Sequence, residues 1–163
     1  MQGAMLLPEF DHENANTRRM LDAIPDEHLD YRPHEKSWTM RELATHVATV
    51  GGWTRPTFEQ DEIDLSQPWE PQQFANSAEI VAAFDATIAD AREALEAASA
   101  ETFQEMWTLR SGDTVHFTMP KGLVFRFFVM NHIVHHRAQL AIYLRECDVP
   151  VPGMYGPSAD EGF

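Results

Sequence analysis

The stretch PKGLVFRFFVMNHIVHHRAQLAIYLREC, residues 120–147, sets the frame for the rest of the chain. Pro120 suits the first turn of a helix, where its missing N–H would have no partner anyway. Pro150, Pro152 and Gly153 prevent continuation beyond about Cys147. From Leu123 to Val134 the segment is apolar on most sides, the pattern of a helix buried between others. The run Gly122 to Met130 is too short to span a bilayer and carries Arg126 in its middle, which excludes a membrane span.

Working outward, Trp107-Thr108-Leu109 and Thr114-Val115-His116-Phe117 flank Ser111-Gly112-Asp113, the chemistry of a short β-hairpin before the last helix. Upstream, Asn76 and Glu79 have capping-box spacing, and Ile80, Phe84, Ile88, Ala91 and Leu95 form an amphipathic stripe that ends near Ser99. Residues 60–75 are acidic and proline-containing, with Trp69 as the main apolar anchor, and predict a long crossover connection. Another capping box, Thr39 with Glu42, starts a helix whose core stripe is Leu43, His46, Val47 and Val50. Gly51 and Gly52 weaken that helix and Pro56 should end or kink it. A further helix over residues 8–24 has Pro8 at its first position and Phe10, Leu21 and Ile24 on its apolar side. Four helices with one long connection predict an all-α four-helix bundle, a single domain over residues 1–163.

Composition agrees. Hydrophobic residues make up 44% of the 163, enough for a substantial core without metal or disulfide staples. The net charge of −14, from 26 acidic and 12 basic side chains, repels phosphate backbones and anionic lipid surfaces, which argues against nucleic acid or membrane partners. A lone Cys147 and an N-terminus without the zones of a secretory signal predict a cytoplasmic protein.

Of the eight histidines, three crowd into Asn131-His132-Ile133-Val134-His135-His136-Arg137. On a helix, His132 and His136 lie about 40° apart and one turn apart, so two imidazoles converge, whereas His135 lies about 100° from His136. A third ligand must come from another element. His46 is the best candidate, because it replaces an aliphatic residue in a core stripe, where a histidine without metal would need its own hydrogen-bond partners. Three nitrogens of a zinc-like ion's roughly four ligands leave a position open to water or substrate. Glu42 and Gln139 are candidates to orient the ligands. Tyr143, seven residues after His136 on nearly the same face, is a candidate catalytic phenol or a core aromatic. Arg137 fits an interhelical salt bridge. His12, His28, His34 and His116 fall in polar contexts and read as surface residues.

At Glu42-Leu43-Ala44-Thr45-His46, at Asn131-His132-Ile133-Val134-His135-His136-Arg137-Ala138-Gln139-Leu140 and at the tail Val151-Pro152-Gly153-Met154-Tyr155-Gly156-Pro157-Ser158-Ala159-Asp160, the chain resembles the DinB-like superfamily. Ala138 stands where that family often has Gly. The resemblance implies an antiparallel four-helix bundle, often a homodimer, with nickel, zinc or a related divalent ion on His46, His132 and His136. It also implies a metal-dependent enzyme acting on a small-molecule substrate, since relatives include transferases and an isomerase that use a low-molecular-weight thiol. Hydrolysis fits the same open site. The competing expectation is a non-catalytic metal-binding or stress-response protein whose ion stabilises the bundle. A plain helical dimerisation module ranks last and predicts no stoichiometric metal.

Overall fold

The computed structural model describes residues 2–68 and 70–162. In chain order its elements are α1 (Gln2–Asp22), α2 (Met40–Thr49), α3 (Thr54–Glu59), β1 (Glu62–Asp64), α4 (Ser77–Ala97), β2 (Met106–Ser111), β3 (Thr114–Pro120), α5 (Lys121–Val124) and α6 (Asn131–Glu146), with short 3-10 turns between some of them. The bundle is made by α1, α2, α4 and α6. Both α4 and α6 pack against α1 and against α2. Consequently α1 and α2, consecutive in sequence, face each other across the bundle.

The two capping sequences act as helix starts. Thr39 Oγ1 accepts from the Glu42 amide at 3.2 Å while Glu42 Oε2 accepts from the Thr39 amide at 2.7 Å, a reciprocal box at the head of α2. Asn76 Oδ1 accepts from the Glu79 amide at 2.9 Å, but the Glu79 carboxylate reaches one residue further back, to the Ala75 amide at 2.8 Å. Each arrangement satisfies two amides that the helix itself leaves unpaired.

Three helix boundaries differ from the sequence expectation, each for a local reason. First, α1 begins six residues earlier than expected, so Pro8 stands inside it. Pro8 is exposed, while Leu7 and Phe10 beside it are buried and hold the turn. Gly3 secures the start of α1, because a Cβ there would come within 1.8 Å of the Leu95 carbonyl oxygen of α4. Second, the chain does leave α-helix at Gly51 and Gly52, through a 3-10 turn, yet Pro56 falls in the first turn of α3, where its missing N–H costs nothing. Third, Pro120 is the last residue of β3 and the cap of α5 rather than a residue of the helix.

Beyond α5 the helix widens into a π-type winding over Phe125–Met130 and then tightens again into α6. This one rod touches both halves of the core: Phe125, Val129 and Ile133 pack with Phe10, Phe58 and Leu95, while Leu140 and Leu144 pack with Met40, Leu43 and Phe84. Among the described residues, no helix is long and apolar enough to cross a membrane.

The hairpin forms as expected. β2 pairs antiparallel with β3, and Gly112 takes the left-handed φ of 56° that the turn demands. The crossover, however, contains a strand: β1 adds parallel to β2, giving a three-stranded sheet in the order β1-β2-β3. Arg110 secures it with bonds of 2.6 Å to Glu62 and to Asp64. Trp69, the expected anchor of this crossover, lies outside the described residues.

Candidate metal centre

His46 projects from the last turn of α2 between buried Leu43 and Val47, and His132 and His136 project from successive turns of α6. Since α2 packs on α6, the three side chains meet. His46 Nε2 lies 3.1 Å from His132 Nε2, which lies 2.8 Å from His136 Nε2, and one ligand atom from each ring falls within 4.8 Å of the other two. Among the described residues this is the one cluster of three or more histidine, cysteine or acidic side chains with such geometry.

The far sides of two rings fix their tautomers. His132 Nδ1–H donates to the Phe128 carbonyl at 3.3 Å, and His136 Nδ1–H donates to Gln139 Oε1 at 2.7 Å. A neutral imidazole carries one proton, so both Nε2 atoms present bare lone pairs. Two lone pairs 2.8 Å apart repel unless a cation lies between them. The residues therefore fit a divalent ion: imidazole donors, inward-turned lone pairs, and outer hydrogen bonds of the kind that orient metal-binding histidines.

Electrostatics act in the same direction. Burial, and then the neighbouring His136 and His132, push the His46 imidazole down to about 4. His132 and His136 are also lowered, chiefly by burial. All three rings are thus unprotonated at neutral pH.

Sequence reasoning missed Trp38. Its ring lies 5.1 Å from that of His46 and 5.7 Å from that of His136, centre to centre, and the residue remains 47% exposed. Trp38 immediately precedes the cap of α2, and that adjacency to a helix start was the available signal. Tyr143 is linked to it: the buried phenol donates to the Trp38 carbonyl at 3.0 Å and packs edge-on against Tyr31.

The other candidates separate cleanly. Gln139 contacts a triad ring, as just described. Glu42 does not serve the histidines, since its carboxylate is taken by the Thr39 amide and hydroxyl. His135 is exposed, edge-on to His136 and outside the cluster. Arg137 turns toward α1 instead, into a buried salt bridge with Glu13 at 2.7 Å. His12, His34 and His116 are exposed, and His28 is half-buried.

Comparison with known proteins agrees with the fold. The chain is 28% identical over 160 residues to YrdA of Bacillus subtilis, covering 95% of this chain and 89% of that protein. Three solved structures share the fold. A DinB-like protein from Bacillus cereus superposes with a TM-score of 0.70 at 21% identity, covering 92% of this chain and 95% of that one. YjoA of B. subtilis, also DinB-like, gives 0.71 at 17%, covering 92% and 97%. YfiT of B. subtilis, described as a probable metal-dependent hydrolase with an unusual four-helix bundle topology, gives 0.67 at 14%, covering 90% and 88%. The sequence model of the DinB family matches residues 1–162, and the chain belongs to that family.

Proposed function

We propose that this protein binds one divalent metal ion, nickel or zinc, on His46, His132 and His136 and works as a metal-dependent enzyme on a small-molecule substrate, of hydrolase or thiol-dependent transferase type. The observation that carries the reading is the pair of bare Nε2 atoms on His132 and His136, held 2.8 Å apart with both Nδ1–H groups committed elsewhere. Three protein nitrogens leave at least one coordination position for an exogenous donor. A divalent ion there would supply Lewis acidity toward an oxygen or a low-molecular-weight thiol.

The residues around it have separable tasks. Gln139 and the Phe128 carbonyl fix the rings and raise the basicity of the inward nitrogens. His46, lowered to about 4, keeps its lone pair free at neutral pH. Tyr143, with its proton given to the Trp38 carbonyl, acts as a positioning residue. The description of YfiT as a probable metal-dependent hydrolase supports the hydrolytic variant. A homodimer and a cytoplasmic location belong to the same proposal.

Elemental analysis of untagged protein tests the reading. About one ion per chain is expected in the parent, with loss of the ion in His46→Ala, His132→Ala and His136→Ala and its retention in His135→Ala. Full metal in any of the first three removes that residue from the ligand set.

One observation favours a second reading, a non-catalytic stress-response protein: the triad bridges α2 and α6, so an ion would tie two bundle helices together. Cobalt-substituted protein separates the two. An absorption spectrum altered by added thiol or hydroxamate supports the enzyme, whereas an unresponsive spectrum with a large loss of thermal stability on chelation supports the structural role.

A further inference from the structure

Trp38 combines three properties that seldom coincide by chance. It is the large aromatic side chain packed on two of the three triad rings, nearly half of it is open to solvent, and its main chain is secured at its carbonyl and at the residue that follows. The Tyr143 hydroxyl bonds its carbonyl, and the next residue, Thr39, is locked in the capping box of α2. Burial of the indole therefore cannot account for its place. A rigid, exposed aromatic surface beside a polar centre is a recognition element, because a flat ligand can cover it without ordering the protein further.

We propose, building on the metal-site reading above, that Trp38 is a specificity-determining residue. The solvent-open part of its indole contacts a planar aromatic or heteroaromatic substituent of the molecule that occupies the open position at the triad. The inner side of the indole backs His46 and His136, so that substituent and donor atom are recognised together. The substrate class this selects is small, with a metal-seeking oxygen or sulfur group attached directly to a flat ring. Aliphatic analogues with the same head group are the poorer ligands.

The test uses cobalt-loaded protein and two probes with one chelating head, benzohydroxamate and acetohydroxamate, titrated by the visible spectrum of the ion. In the parent, benzohydroxamate should bind about threefold to tenfold more tightly than acetohydroxamate, the range expected of one aromatic pair. Trp38→Leu should abolish that preference, read as the ratio of the two affinities so that any change common to both probes cancels, and Trp38→Phe should restore most of it. An equal preference in Trp38→Leu and parent overturns the proposal, as does a parent with no preference. If Trp38→Leu does not fold, Trp38→Phe and Trp38→Tyr are compared with parent, and a preference that fails to follow the stacking area of the ring overturns it likewise. Failure of the triad itself gives a different signature, because the parent would then take up no cobalt.

Discussion

Two neighbouring residues of α6, His136 and Arg137, lead to two polar clusters on different faces of one helix, and only one cluster is complete. Arg137 is 2% exposed, and its guanidinium donates to the Glu13 carbonyl at 2.8 Å, Thr17 Oγ1 at 3.1 Å, Glu13 Oε2 at 2.7 Å and the Tyr155 hydroxyl at 2.7 Å. Tyr155 in turn donates to Glu13 Oε2 at 2.7 Å, so donor meets acceptor throughout and the charge is balanced. On the other side, the outer nitrogens of His132 and His136 are satisfied and the inner ones oppose each other. Completion marks a cluster that holds the fold together. An arrangement whose parts agree only when something is added marks one that serves a ligand.

The contrast can be broken most forcefully at Arg137. Arg137→Leu leaves the half-buried Glu13 carboxylate without its cation and should cost about 3–5 kcal/mol in urea unfolding, while the folded fraction still takes up metal. A loss below about 1 kcal/mol would mean that the completed cluster is not structural. Gln139→Leu probes the other side more gently. It should weaken metal binding by about 10- to 100-fold in competition with a chelator and change the stability of ion-free protein by no more than about 1 kcal/mol. Unchanged affinity would deny Gln139 its orienting role.

The smallest effect is one of pH. His46 is lowered to about 4 in the folded chain, from an ordinary value of 6.5 that the unfolded chain retains. Between those values the unfolded state binds more protons, so the stability of ion-free protein should fall as pH drops from about 6.5 to about 4 and be insensitive to this group above that window. His46→Gln should flatten the slope in urea midpoints taken at pH 7, 6 and 5. An unchanged slope would show that His46 does not couple folding to protons.

Much of this was legible in the chain because it is governed by local chemistry. Thr39 with Glu42, Asn76 with Glu79, and Ser111-Gly112-Asp113 act within three or four residues, and each appears where its sequence signal places it. The pair His132 and His136 follows from helix geometry alone. What was hidden depends on partners remote in sequence. β1 is three residues long and exists through pairing with β2 more than forty positions later. Pro8 is tolerated in α1 because Leu7 and Phe10 beside it are buried in the core. Glu42, one turn from His46, offered two readings, and the cap took the carboxylate. Trp38 bore no periodic signal because it lies just outside α2, before its cap.

The π-type winding at Phe125–Met130 governs where the two histidines after it point. Each residue of an α-helix advances the direction of every later side chain by about 100°, and a π segment arises by accommodating a single additional residue within one turn. If the same six residues were wound as regular α-helix, His132 and His136 would turn by roughly 100° away from α2, whereas removing one of them would let an ordinary α-turn keep both where they are. The angular phase of the site is therefore stored just upstream of it, in the winding of a segment whose Phe128 carbonyl also accepts from His132.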